Sequence, residues 1–420
     1  MRAATQPRSL LESLFATAVR AASPHSVLAN FLPADTQQSA TVVGAGKAAA
    51  SMAASLERHW QGPLAGLVVT RYGHAEQCRA IEVVEAAHPV PDAAGERMAH
   101  RVLDRLRGLS DTDLVICLLS GGGSSLLACP AGDIKLADKQ AINKSLLRCG
   151  ASISEINCVR KHLSAIKGGR LAQACGPARL ITYAISDVPG DDPTVIASGP
   201  TVADPSSSAE ALAILERYRI TPGDAVRRWL QDPRSETLKP GDPAFANSEY
   251  HLIAKPADAL TAAASAARAQ GLDVVELGDA IEGEAREVAA AQAVMALDAQ
   301  RRARQPTLLL SGGETSVSVR GSGRGGRNAE FLLAMACALQ GADGIYAIAA
   351  DTDGIDGSED NAGALLAPDS WQRAQALGLD PGGMLENNDG YGFFAALDDL
   401  LFTGPTRTNV NDFRAVLVLP

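Results

Sequence analysis

Two segments join an apolar run to a serine and glycines: Leu118-Leu119-Ser120-Gly121-Gly122-Gly123-Ser124 and Leu309-Leu310-Ser311-Gly312-Gly313-Glu314. Glycine lets an anionic group approach the main chain, and successive free N–H groups form a concave anion cradle. Bare amides at the end of a strand, where α/β proteins keep their ligands, suit a phosphate. A plain flexible turn would also use glycines, but three in succession are wasteful unless the backbone needs positive φ or a close neighbour.

Other segments carry groups that complement such cradles. Gly44-Ala45-Gly46-Lys47 follows an apolar run and opens a helix, which puts amides and an ammonium at a positive helix end. It is neither a Walker A loop nor a complete G-x-G-x-x-G. In the basic run from Val159 to Arg170, helical spacing puts Arg160, Ser164 and Lys167 on one face and Lys161 on the next. A solvated basic face is the ordinary reading; in an acidic chain, an anionic ligand is the sharper one. Asp187, Asp191 and Asp192 follow a further apolar run, where α/β enzymes place proton-accepting or metal-binding carboxylates, although Asp and Pro also make simple turns. Arg324 and Arg327 stand among glycines before a helix, and a planar guanidinium suits phosphate or carboxylate. Asp351-Thr352-Asp353 offers carboxylates without the spaced ligands or terminal Glu of an EF-hand. Hydroxyls and amides crowd the stretch from Thr403 to Asp412, as in a polar binding loop or a capping turn. The histidines show no metal-ligand spacing, and His88 and His162 read as structural or peripheral.

These groups need a scaffold, and 420 residues exceed a single hydrophobic core, so two domains are expected. A composition of 46% hydrophobic and 20% charged residues is globular, and the net charge of −10 disfavours non-specific nucleic-acid binding. Seven cysteines without a C-x-x-C pair suggest a reducing, cytoplasmic setting. No run of about 18 apolar residues suits a membrane span, and the start of the chain reads as an ordinary first helix rather than a targeting segment. Strands are expected at 40–43, 66–70, 81–85, 114–119 and 179–185, alternating with helices at 47–60, 95–106, 138–147 and 153–166, which makes a doubly wound sheet. A Pro- and Ser-rich stretch at 204–243 marks a boundary with one helix at 209–218. Beyond it, strands are expected at 251–254, 273–277, 307–310 and 344–349, with helices at 258–270, 283–302 and 328–339. Alternation at 314–320 predicts a hairpin strand, hence a mixed second sheet.

Taken in order, the segments at 44–47, 120–124, 157–170, 186–201, 311–330, 351–363 and 403–412 resemble the glycerate 2-kinase family, whose C-terminal half is the MOFRL domain. The resemblance implies an N-terminal Rossmann-like domain (1–238), a C-terminal α/β MOFRL domain with a mixed sheet (239–420), and an active site in the interdomain cleft. It implies phosphorylation of D-glycerate to 2-phosphoglycerate with ATP and Mg²⁺ by a monomer or homodimer, with no nucleic-acid or membrane partner. Lys47 and one arginine of the 323–327 segment, preferably Arg324, match positions that the family uses in catalysis. The expected roles follow. Ser120, Gly121, Gly122, Gly123 and Ser124, with Lys161, Gly312, Gly313 and Glu314, bind the cofactor; Asp187 and Asp192 serve catalysis; Asp191, Asp351 and Asp353 hold the metal. Two positions depart from the family pattern: Ala329 stands where glutamine is usual, and Arg407 where glycine is. Members of this family are often labelled hydroxypyruvate reductase, so an NAD(P)H-dependent reductase is the rival reading. Against it, no third glycine follows Gly46, and the next strand ends on Val69-Thr70-Arg71 rather than on an acid.

Overall fold

The computed structural model describes residues 6–302 and 304–420. The chain divides into two compact units: Pro24–Ile253, and Met1–Ser23 together with Ala254–Pro420. The single boundary expected at 238 is not what the structure has: the chain passes from one unit into the other and back.

In the first unit a six-stranded sheet comprises β1 (Ala40–Ala45), β2 (Leu64–Arg71), β3 (Ile81–Ala86), β4 (Leu114–Leu119), β5 (Arg179–Ile185) and β6 (Ser248–Ala254). Its order is β3-β2-β1-β4-β5-β6, the Rossmann order, and β1 pairs in parallel with both β2 and β4. All six residues of β4 are buried, because a central parallel strand is covered on both faces. The strand expected at 251–254 is therefore the edge of the first sheet, not the opening of the second. The succession of β1 and β4 reverses the direction of winding, and ligands of such sheets bind outside the carboxyl ends of the strands there.

The basic run does not form one helical face. The helix Ile153–His162 stops four residues short of the expectation, because the Ser164 hydroxyl accepts the amides of Ile166 and Lys167 and turns the chain. Its cations serve the architecture. Lys161 forms a buried ion pair with Asp204 at 3.1 Å, Lys167 donates to the Leu127 carbonyl at 2.8 Å, and Arg170 donates to the carbonyls of Ser164 and Ser235. His162 is likewise internal, between the Cys158 carbonyl and Glu236.

The second unit is built on β7 (Asp273–Gly278), β8 (Gly283–Glu284), β9 (Thr307–Gly313), β10 (Thr315–Ser316), β11 (Ile345–Asp351), β12 (Gly363–Leu366), β13 (Leu400–Leu401) and β14 (Asp412–Val418). The large sheet runs β13-β12-β11-β14-β9-β7. It is mixed, as expected, but for another reason: β14 is antiparallel to β9 and β11, while β7 and β9 are parallel. This central β14 lies beyond the last strand expected from the sequence. The expected hairpin strand shrinks to β10, which pairs in parallel with β8 in a separate two-stranded sheet. The helices Ala285–Arg302 and Arg327–Leu339 cover one face through an Ala-, Leu- and Phe-rich core. Helix Pro7–Ala21 packs on Pro256–Ala269 within the same unit, with the Phe15 and Phe413 ring centroids 5.7 Å apart.

One group in the first unit is poorly accommodated. Lys139 has a buried Nζ with no hydrogen-bond partner among the described residues, and burial pushes its amine down to about 8. Between about pH 8 and pH 10 the unfolded chain then binds more protons at this group than the folded one, so stability rises with pH across that window. Lys139→Met is expected to stabilise the fold at pH 7 by about 1–3 kcal/mol and to flatten that rise. Denaturant titrations at pH 7, 8.5 and 10 measure both effects; equal slopes for the two proteins would contradict the assignment.

Candidate functional site

Each unit collects its polar residues at one edge of its own sheet. In the first unit the loops after β1 and β4 are tied together. The Ser120 amide donates to the Ala45 carbonyl at 3.1 Å, the Ser120 hydroxyl accepts the Ala48 amide at 3.0 Å, and the Lys47 amide donates to the Gly121 carbonyl at 2.8 Å. Gly46 donates to Val69 and Ala49 to Gly46. All four amides from Gly46 to Ala49 are thus engaged inside the protein, so the β1 loop braces its neighbour and is not an anion cradle. Gly46, at φ +143°, is required by proximity: a Cβ there would lie 2.0 Å from Ser120 Oγ.

The β4 loop keeps the cradle. The amides of Gly121, Gly122 and Ser124 have no acceptor among the described residues, whereas Gly123 donates to Ser120. Gly122 has φ +80°, and a Cβ there would meet His88 Cδ2 at 3.0 Å and Lys47 Cγ at 3.4 Å. Lys47 and His88 therefore flank the loop, the latter without any sequence signal that marked it. Behind the loop, Ser124 Oγ lies 2.7 Å from Ser198 Oγ, which donates to Asn157 at 3.3 Å. Ala197, Ser198 and Gly199 all take positive φ, and a Cβ on Gly123 would lie 2.8 Å from that of Ala197. Non-glycine residues hold such a backbone only when their surroundings impose it.

Because β5 neighbours β4, the aspartate loop leaves the sheet beside this cradle. Asp187 is half-buried there. Asp192 is exposed and its Oδ1 accepts the Thr194 amide at 2.8 Å, while Asp191 has φ +57° and a buried Oδ1 without a partner among the described residues. Lys161 is not part of this group, since its ammonium is spent on Asp204.

In the second unit, register places Gly313, Asp412 and Asp351 in one row across β9, β14 and β11. Arg327, at the start of its helix, reaches that row: Nε donates to Asp412 at 2.8 Å, Nη2 to Asp351 at 2.9 Å and Nη1 to Glu314 at 2.6 Å. Asp412 is completely buried, accepting also from Asn328 Nδ2 at 2.8 Å and from the fully buried Arg414 at 2.6 Å. Burial raises the Asp412 carboxyl, but the two guanidiniums outweigh it and hold it below the ordinary range. Burial likewise works against the Arg327 charge and is overcome by Asp412, Asp351 and Glu314. Asp356 accepts the amides of Asn328 and Ala329 at the head of the same helix, and burial pushes its carboxyl up to about 6 against those bonds.

Arg324, preferred from the sequence, is not in this row: it pairs with Glu359 and lies over the Tyr391 ring, 4.2 Å from its centroid. Gly312 and Gly313 are not a cradle either. β9 runs through both; the Gly312 carbonyl accepts from Arg414 and Ile281, and a Cβ on Gly313 would lie 2.2 Å from the Ile281 amide nitrogen. At the two positions that depart from the family pattern, Ala329 is buried against Gly390, and Arg407 takes φ +62°, a region natural to glycine.

The three expected metal ligands are not alike: Asp191 keeps a buried Oδ1 without a hydrogen-bond partner among the described residues, whereas the other two are engaged by neighbours. Asp351 is committed to Arg327 and the Asp353 amide, and Asp353 Oδ1 accepts the Ile355 amide. Among the described residues no group of three or more His, Cys, Asp or Glu is disposed to hold a metal. No described helix is long and apolar enough to cross a membrane.

Comparison with known proteins places this architecture. A domain of unknown function, DUF4147, matches residues 10–231, and the MOFRL family matches residues 307–412. A D-glycerate 2-kinase of Thermotoga maritima is 39% identical over 406 residues, which are 96% of each chain. A putative hydroxypyruvate reductase of Agrobacterium vitis is 52% identical over 417 residues, covering 98% of this chain and 94% of its own. The crystal structure of glycerate kinase from Thermotoga maritima matches with a TM-score of 0.89 at 38% identity, covering 98% of this chain and all of that one. Fold and relatives together define a two-unit α/β phosphotransferase. The chain belongs to the glycerate kinase family that carries a MOFRL domain.

Gly122→Ala tests the cradle. Its Cβ would press on His88 in a left-handed conformation, at an expected loss of about 1–2 kcal/mol. Calorimetric titration with inorganic phosphate is expected to show at least tenfold weaker binding while circular dichroism stays native; unaltered binding would exclude this loop.

Proposed function

We propose that the protein phosphorylates D-glycerate at the 2-hydroxyl with ATP. The single observation that carries the reading is the β4 loop, with three unengaged amides beside Lys47. Phosphoryl transfer demands positioning and charge neutralisation more than covalent chemistry, and preset amides with an ammonium supply both. The amides of Gly121, Gly122 and Ser124 take nucleotide phosphate oxygens. Lys47 offsets charge on the transferred phosphoryl group. Arg327, rather than Arg324, receives an anionic group of the acceptor, because its fork is held by the Asp412 and Asp351 carboxylates, whereas Arg324 is paired at the surface. Asp187, half-buried where β5 ends beside the cradle, accepts the hydroxyl proton. Magnesium enters as part of the nucleotide substrate, in keeping with a cation that is usually held largely by phosphates and water.

The same geometry counts against nicotinamide chemistry. The helix-opening amides after β1 that would grip a pyrophosphate are occupied, and β2 ends on Arg71 where a ribose-binding acid is needed.

Two paired assays test the reading. The protein with D-glycerate and MgATP is expected to form ADP and 2-phosphoglycerate, identified by phosphorus NMR. With hydroxypyruvate and NADH or NADPH it is expected to oxidise no cofactor. Lys47→Ala is expected to lower kcat by about a hundredfold or more with the fold retained. Reduction of hydroxypyruvate, or 3-phosphoglycerate as the product, would refute the assignment.

A further inference from the structure

We propose that Glu314 is an internal counter-ion that occupies the outward nitrogen of Arg327 and is displaced when an anionic substrate group binds there. The proposal rests on the reading of Arg327 as a substrate-binding residue.

The three carboxylates on Arg327 are not alike. The Asp412 side chain is 0% exposed and that of Asp351 is 6% exposed, whereas that of Glu314 is 50% exposed. Asp412 is locked from behind by Arg414, itself fully buried and bonded to the Gly312 carbonyl, and Asp351 is fixed by the Asp353 amide. Moving either would strand a buried charge, a cost of several kcal/mol. Glu314 has no hydrogen-bond partner other than Arg327 among the described residues. Its carboxylate can swing into water at little cost, since exposed ion pairs are individually weak.

Charge requires the exchange. Glu314, Asp351 and Asp412 all share the Arg327 guanidinium, so its positive charge is already matched before any ligand arrives. An incoming carboxylate or phosphate is repelled as long as all three acids stay, and it must share Nη1 with Glu314. When Glu314 leaves, the arriving anion inherits a planar donor whose other nitrogens are already oriented. Glu314 thus keeps the guanidinium aimed in the empty protein and sets the affinity for the anion by competing with it.

Calorimetric titration of the full-length chain with D-glycerate, and separately with inorganic phosphate, tests this at constant ionic strength. Glu314→Gln is expected to bind the probe about threefold more tightly, the scale of an exposed ion pair. In an Arg327→Lys background, Glu314→Gln is expected to change affinity by less than that, because the competition requires the fork. Thermal unfolding establishes that each variant is folded. Unchanged or weaker binding in folded Glu314→Gln, or an equal increase in the Arg327→Lys background, would overturn the displacement. If the wild type binds phosphate but not D-glycerate and the substitution still tightens phosphate, the displacement stands and the acceptor assignment falls. If the wild type binds neither, both fall.

Discussion

The buried Asp412 carboxylate between Arg327 and Arg414 is the constraint on which the second unit depends. A carboxylate taken wholly out of water is tolerated only when paired and hydrogen-bonded, and this one receives two guanidiniums and an amide. Those bonds have structural consequences. Arg414 pins the β9 carbonyl at Gly312, Arg327 fixes the start of a core helix, and Asp351 is drawn into register from β11. One charge thereby joins three strands and a helix at a single edge, and orients a guanidinium there as a consequence of folding.

The first unit reaches preorganisation without charge. Ser120, the residue after an apolar strand, links two loops by accepting and donating at once, and the glycines around it are needed for close approach. The amides of Lys47 and Ala48 are consumed in bracing the β4 loop, in which those of Gly121, Gly122 and Ser124 stay open. Two sequence motifs that look alike as anion loops therefore have different functions, one a brace and the other a cradle. Strained residues at Ala197 and Ser198 back the cradle, which fits the tendency of such strain to gather where a backbone must be held against its preference.

Much of this was legible in the sequence where local pattern and tertiary context agree. The central strands of the first sheet are apolar throughout, and the helix signals between them are strong, so their order of appearance could be read. β14 was missed because its chemistry-bearing start, Asp412, sits at the end of a polar stretch that looks like a loop, and nothing local reveals a carboxylate shared between the neighbouring Arg414 and the distant Arg327. The basic run misled for the complementary reason. Helical spacing puts Arg160, Ser164 and Lys167 on one face, but the Ser164 hydroxyl captures backbone amides and ends the helix, so Lys167 turns inward to a carbonyl.

The choice between Arg324 and Arg327 shows why residue type is weaker guidance than the counter-charges that fold around it. Both lie within five residues among glycines, and both carry the same fork. Arg324 meets one acid and an aromatic face at the surface, an arrangement that serves solvation and packing. Arg327 enters a row of carboxylates whose positions are set by strand register, so its orientation is inherited from the sheet and not chosen by the side chain. A group that must recognise an anion repeatedly in one geometry needs that inheritance, because the rotamer freedom of a surface arginine would have to be lost anew at each binding event. The same register explains why the outermost acid of the row is the exchangeable one: it lies beyond the last paired residue of β9, where the ladder no longer dictates its place.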